Sequence, residues 1–250
     1  LKCLEPLEEL LKRQHENISA VIMEPLLLGA GGMIVYPKQY LSRVRELSSQ
    51  YGVHLILDEV ATGFGRTGKM FACEHVDVSP DLMCISKGIT SGYLPLGATL
   101  TTEEIFSSFY DDYSRNKTFY HGHTYTANPV ACAAAVASIE LFKKEGTLEN
   151  VQDMNQMLNA FLEEGADHPL VGDIRSIGAV GAMELVSDKG TKEAFKNRRI
   201  GLEIYKKGLE KGLLLRPLGN IIYFFLPLCL KRGECEEIFK NTTDILKTIK

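Results

Sequence analysis

Two residues whose types could do chemistry stand where apolar runs give way to polar residues. Residues 53–57 (VHLIL) lead into Asp58-Glu59, and residues 81–85 (DLMCI) lead into Ser86-Lys87-Gly88. Both runs read as buried strands. Asp58 and Lys87 therefore belong at strand ends, with a glycine-rich loop at residues 63–68 (GFGRTG) shortly after Asp58. A carboxylate and a lysine on neighbouring strand ends can face one bound ligand. A carboxylate beside a pyridine nitrogen keeps that nitrogen protonated and makes the ring an electron sink, and a lysine forms a Schiff base with an aldehyde. Together these are the protein half of pyridoxal 5'-phosphate (PLP) chemistry. Taken singly, Asp58 reads more simply as a helix cap or turn residue, and Lys87 as a solvated cation.

The elements that must position them follow from periodicity. Leu4, Leu7, Leu10 and Leu11 predict an amphipathic helix over residues 4–16. Residues 19–23 (SAVIM) predict a buried strand ending at Glu24-Pro25, followed by a loop containing Gly29, Gly31 and Gly32. Pro37 opens a helix that Tyr40, Val44 and Leu47 carry to about Gln50. With the runs at 53–57 and 81–85, and a possible fourth strand at 97–100, apolar strands alternate with helices. That pattern predicts an α/β fold with a mostly parallel sheet flanked by helices. In such sheets ligands bind at the carboxyl ends of the strands. Asn128 as N-cap and Pro129 as first residue open a helix to Phe142. Beyond it the pattern shortens, with helices at 150–164, 200–211 and 234–250 and strands at 171–181, 182–186, 213–215 and 221–226. Residues 1–145 are thus expected to form part of a large domain, and 146–250 a smaller α+β domain.

Composition bounds the rest. The chain has 250 residues, 45% hydrophobic and 24% charged, which fits a globular protein and excludes a disordered chain or a collagen. Lys+Arg is 28 against Asp+Glu 32, a net charge of −4. That balance lacks the basic footprint of a nucleic-acid binder. The longest apolar stretch, residues 221–230, is interrupted by Pro227 and falls short of the ~20 residues of a membrane span. None of the six cysteines forms a C-x-x-C pair, and Cys73 and Cys132 are expected to be packing residues. Reduced core thiols, with no signal peptide read at the start, predict a cytoplasmic protein. The first residue is Leu1 rather than methionine, so a chain cut from something longer is expected.

The exact strings say more. Residues 58–68 read DEVATGFGRTG, and residues 85–88 read ISKG, followed by YLPLG at 93–97. Over essentially the whole chain, from VIMEP at 21–25 to the last helix, the sequence resembles the class III aminotransferases, PLP enzymes of fold type I. The fold implied is the C-terminal part of the large PLP domain followed by the small domain. The resemblance implies that Asp58 pairs with the ring nitrogen of PLP and that Val60 packs on one face of the ring. It implies that Lys87 carries the cofactor and then serves as general base. Thr124 is implied to donate to the PLP phosphate of a partner subunit, making the enzyme a homodimer with shared sites. Within the family, residues 61–75, 119–132 and 215–227 resemble the branch that aminates 8-amino-7-oxononanoate (KAPA) to 7,8-diaminononanoate in biotin synthesis, with S-adenosylmethionine or lysine as donor. Arg216 would then clamp the KAPA carboxylate, and Tyr223 would line its pocket, although FFLP at 224–227 departs from the commoner ending. The alternatives are another class III activity, on ornithine, 4-aminobutyrate or other ω-amines, or a catalytically incompetent fragment serving as a dimerisation module.

Other conspicuous residues have plainer readings. His121 and His123 (HGH) lack an evident third ligand, so no metal is expected. Residues 29–32 (GAGG) miss the dinucleotide spacing and read as a tight turn near Glu24. Glu24 reads as a satisfied loop carboxylate, and Arg66 as the anchor of its own loop. The family places a Gly-Ser phosphate turn and a ring-stacking aromatic ahead of the region this chain resembles. The chain alone is therefore expected to fold poorly and to have little activity.

Overall fold

The computed structural model of the chain describes residues 2–249. In chain order, the elements begin with α1 (Glu5–Gln14), β1 (Ala20–Met23), β2 (Leu27–Leu28), β3 (Ile34–Val35) and α2 (Lys38–Gln50). They continue with β4 (His54–Asp58), β5 (Leu82–Ile85), β6 (Ala98–Thr101), α3 (Glu103–Ser107), α4 (Pro129–Lys144) and α5 (Thr147–Gly165). The last are β7 (Val171–Ile177), β8 (Val180–Leu185), α6 (Ile200–Glu210), β9 (Pro217–Leu218), β10 (Ile221–Phe225) and α7 (Arg232–Leu246). They gather into two compact units. One contains Leu1–Leu26, Tyr36–Phe64 and Phe71–Glu145, and the other Leu27–Val35, Gly65–Met70 and Gly146–Lys250.

The first unit is built on a four-stranded sheet in the order β1-β4-β5-β6. β1 and β4 are parallel, as are β4 and β5, while β6 returns antiparallel to β5. The sheet is therefore mixed and mostly parallel. β4 carries its centre: Leu55 and Leu57 are completely buried, each worth roughly 1.5–3 kcal/mol of apolar burial. Leu11 of α1, Leu47 of α2 and Val53 form a buried cluster with Leu7, Ile18, Val21 and Tyr51 packed around it. Asp81 fastens the start of β5. Its Oδ2 accepts from the Leu55 amide at 2.6 Å and from the Arg45 guanidinium at 2.9 Å. Partial burial pushes this carboxyl up, but the Leu55 amide and Arg45 outweigh it and hold it below the usual range. α4 starts as its sequence predicts: the Asn128 side chain accepts from the amides of Val130 and Ala131, with Pro129 next.

The second unit is an antiparallel sheet in the order β7-β8-β10-β9 with α5, α6 and α7. At its core Phe161 and Phe239 stack at 4.6 Å between ring centres, and Phe224 meets both edge-on. β2 and β3 form a hairpin. Arg175 on β7 holds it, donating to the carbonyls of Met33 and Gly32 while pairing with Asp173 and Glu184.

Several expectations are corrected. No strand forms at 213–215. Leu215 is buried in the core but Leu214 is exposed, and the pairing to β10 is made by Pro217–Leu218 instead. The glycine loop is a tight turn, with Gly32 and Met33 amides donating to the Gly29 carbonyl, but it closes an unanticipated hairpin. α3 was not anticipated either; Thr102 caps it by accepting from the Ile105 amide. Cys132 does not pack: it is exposed, as are Cys3 and Cys229, and only Cys73 and Cys235 are buried. Arg66 anchors its loop to residues distant in sequence. Its guanidinium donates to the Leu226 carbonyl and lies over the Phe225 ring at 4.3 Å, and burial pulls it down to about 10. Among the described residues no helix is long and apolar enough to cross a membrane.

Candidate active site

Asp58 is the last residue of β4 and is half-buried. In the parallel register it lies beside Cys84 of β5. One carboxylate oxygen accepts from the Val60 amide at 3.0 Å. Among the described residues the other has no protein partner. Val60 is half-buried in the turn that follows.

Lys87 lies three residues past Cys84, on the neighbouring strand's carboxyl end. Ser86 is extended, and Lys87 is left-handed, with φ 44°, as it opens a short 3-10 turn, Lys87–Thr90. A left-handed lysine costs on the order of 1 kcal/mol, so the surroundings must hold it. They do so in several places. A Cβ at Gly88 would stand 2.7 Å from Phe64 Cβ, so only glycine lets the turn approach that ring. The Ser91 and Ser138 hydroxyls meet at 2.7 Å, tying the turn to α4. The Ser86 hydroxyl donates to the Leu96 carbonyl and that of Thr90 to the Leu94 carbonyl. The Lys87 amine is exposed and, among the described residues, makes no hydrogen bond or ion pair.

The first unit thus brings Asp58, Val60 and Lys87 to adjacent strand ends. Thr124 belongs to the same unit but lies in an exposed, irregular segment before α4. His121 and His123 share that segment; His123 Nδ1 accepts from the Tyr125 amide. Among the described residues no group of three or more His, Cys, Asp or Glu could hold a metal ion. Glu24 follows β1, and its carbonyl accepts from the Tyr36 hydroxyl. Arg216 and Tyr223 belong to the second unit. Ile222 pairs with Pro217, and one step beyond that pair on each strand lie Tyr223 and Arg216. Arg216 is exposed and has no side-chain partner among the described residues.

Sequence reasoning passed over Glu59. It is completely buried, and its carboxylate accepts from the Thr62 hydroxyl at 2.6 Å and from the Cys73 amide at 2.9 Å. Burial pushes the carboxyl up, against the pull of these bonds. A Glu directly after a strand-end Asp, four residues before a glycine, was the only signal.

A family model described as "Aminotransferase class-III" matches residues 1–246. The chain belongs to the class III aminotransferases. A relative from Aquifex aeolicus, named adenosylmethionine-8-amino-7-oxononanoate aminotransferase, is 45% identical over 98% of this chain and 54% of its own length. The crystal structure of a protein of that name from Methanocaldococcus jannaschii matches with a TM-score of 0.92 at 40% identity, over 98% of this chain and 58% of that one. A thermostable omega transaminase mutant from Pseudomonas jessenii matches with a TM-score of 0.91 at 34% identity, over 96% of this chain and 54% of that one. This class III chain spans about half the length of the relatives it matches.

Class III aminotransferases depend on PLP, and the donor set fits that cofactor. Asp58 offers a free carboxylate oxygen of the kind a protonated pyridine nitrogen needs. Lys87, on the adjacent strand end, offers a free amine of the kind an aldehyde needs.

Proposed function

We propose that this protein acts as a PLP-dependent aminotransferase on KAPA, giving 7,8-diaminononanoate in biotin biosynthesis, with S-adenosylmethionine or lysine as amino donor. The observation that carries the reading is the free carboxylate oxygen of Asp58 beside the amine of Lys87, which has no partner among the described residues, on adjacent parallel strand ends of a class III chain. The choice of substrate rests on the name shared by relatives at 41–48% identity.

PLP, when bound, supplies a protonated ring that delocalises the electron pair left when a proton leaves the substrate carbon. Asp58 would hold the proton on the ring nitrogen, and Val60 would pack against the ring. Lys87 would hold the cofactor by its aldehyde carbon and, once the substrate amine displaces it there, the freed amine would serve as the base that moves the proton between the substrate carbon and C4′. Its exposed position and its bound turn give the amine reach while fixing its base. Thr124 would donate its hydroxyl to the cofactor phosphate of a partner subunit, which would make the working unit a homodimer. Arg216 binds the KAPA carboxylate with two parallel hydrogen bonds, and Tyr223 lines the same pocket. The six free thiols suit a reducing cytoplasm.

Amino transfer from each donor to KAPA, followed by mass spectrometry of the product, tests the reading. Lys87→Ala is expected to abolish transfer from every donor. Arg216→Ala is expected to raise KM for KAPA about 10–100-fold while PLP affinity stays as it was. An unchanged KM would sink the substrate assignment. The omega transaminase likeness favours a second reading, transfer to simple ω-amines, and turnover of such amines without turnover of KAPA would select it.

A further inference from the structure

We propose that Glu59 is the positioning residue of this site, fixing the turn that aims Asp58 at the ring nitrogen of the cofactor. The inference rests on the PLP reading above. Among the described residues Asp58 itself has a single protein partner, the Val60 amide. Nothing else among the described residues sets the direction of its carboxylate. The residue between Asp58 and Val60 is Glu59, and all its polar groups are bonded. Its amide donates to the Cys84 carbonyl of β5 at 2.9 Å, continuing the strand ladder past Asp58. Its carbonyl accepts from the Gly63 amide at 2.9 Å. Its two carboxylate oxygens take the Cys73 amide and the Thr62 hydroxyl.

These four attachments join β5, the turn and residue 73 to one side chain and its backbone. The turn is tight as well: a Cβ at Gly63 would stand 2.8 Å from the Glu59 carbonyl oxygen and 3.2 Å from the Phe71 ring. A carboxylate with no solvent contact is expensive to bury unless its bonds are complete. Glu59 has that complement, and the peptide it fixes is the one that donates to Asp58. A group that only filled space could be apolar, as its buried neighbours Leu57 and Phe64 are. Shortening the side chain would pull the carboxylate from Thr62 and Cys73, free the turn, and leave Asp58 without a fixed heading.

The test uses the full-length protein loaded with PLP carrying ¹⁵N at the ring nitrogen, whose NMR shift reports protonation there. Four variants are compared with the unaltered protein: Glu59→Asp, Glu59→Gln, Thr62→Val and Asp58→Asn. Glu59→Asp is expected to move the signal toward the neutral position and to raise the PLP dissociation constant about tenfold, the equivalent of one lost bond to a charged group. Glu59→Gln keeps the length, accepts from Cys73, and lets the Thr62 hydroxyl turn to accept. It is expected to restore the signal. Thr62→Val, which removes one bond and nothing else, is expected to shift the signal in the same direction as Glu59→Asp but less.

A Glu59→Asp protein that melts like the unaltered one and keeps the ring-nitrogen signal overturns the proposal. If Glu59→Asp does not fold, an unchanged signal in Thr62→Val overturns it equally. Asp58→Asn separates the two readings. If Asp58→Asn shifts the signal and the Glu59 and Thr62 variants do not, only the positioning role fails. If Asp58→Asn leaves the signal in place, the placement of the ring nitrogen at Asp58 fails with it.

Discussion

Replacing Gly88 by alanine tests whether the lysine's turn is held as tightly as the geometry says. The added Cβ would stand 2.7 Å from Phe64 Cβ and 3.1 Å from two ring carbons. An ordinary carbon–carbon contact is about 3.5–4.0 Å, so something must move by about 1 Å. Phe64 cannot yield by rotating its ring, because the clashing atom is its Cβ, fixed to a backbone that is itself left-handed at φ 55°. Its ring is also packed edge-on against Phe71 at 5.5 Å. The turn carrying Lys87 must therefore shift. Overpacking of this kind costs about 1–3 kcal/mol, seen as roughly 2–4 °C in Tm for each kcal/mol in a chain of this size. A displacement of about 1 Å in a reacting group lowers rate by up to about 100-fold. Gly92→Ala is the control. Gly92 is left-handed, at φ 81°, and nothing lies within 4 Å of the added Cβ. It is expected to lose about 1 kcal/mol of stability and little activity. Thermal melts and single-turnover amino transfer read both effects. Gly88→Ala with unaltered Tm and rate would refute the claim, and so would a Gly92→Ala protein that loses as much activity.

Two further expectations come from burial. Glu59 is raised above its ordinary 4.5 by desolvation, so the folded state holds its proton more firmly than the unfolded chain. Between 4.5 and the raised value the native protein binds more protons, and stability therefore falls as pH rises through that window. Glu59→Gln, which cannot titrate, is expected to flatten this part of the profile, measured by urea denaturation from about pH 4 to about pH 8; an unaltered slope would mean that Glu59 is ionised alike in both states. The Cys73 thiol is pushed up to about 12 by burial and by the nearby Glu59 carboxylate. Alkylation of the native protein followed by peptide mass spectrometry should label Cys3, Cys132 and Cys229 well before Cys73 and Cys235, and early labelling of Cys73 would contradict the packing described.

The sequence made the central parallel strands legible because each is a short apolar run bounded by turn residues. β1, β4 and β5 fall within two residues of their expected limits. The start of α4 was legible through Asn128 and Pro129, whose chemistry is local. The two-residue strands β2, β3 and β9 were not, because two residues carry no period, and the pairing that makes them strands comes from distant partners. Leu213–Leu215 misled for the same reason in reverse: three leucines look like a strand, but among the described residues no strand pairs with them. Cys132 was misjudged because an alanine-rich helix gives little sense of which face is buried. The anchoring role of Arg66 could be read, but its acceptor, the Leu226 carbonyl, could not, because it lies far along the chain. For the site, the strand-end positions of Asp58 and Lys87 could be read from pattern. The work of Glu59, Gly88 and Ser138 could not, since each depends on what folds against it.

Lys87 is the residue proposed to hold the cofactor. The direct measurement is incubation with PLP, borohydride reduction, and mass spectrometry of the intact protein and its peptides. One pyridoxyl-phosphate adduct is expected, on Lys87, lost in Lys87→Ala. Labelling scattered over surface lysines, with Lys87 unmodified, would contradict it.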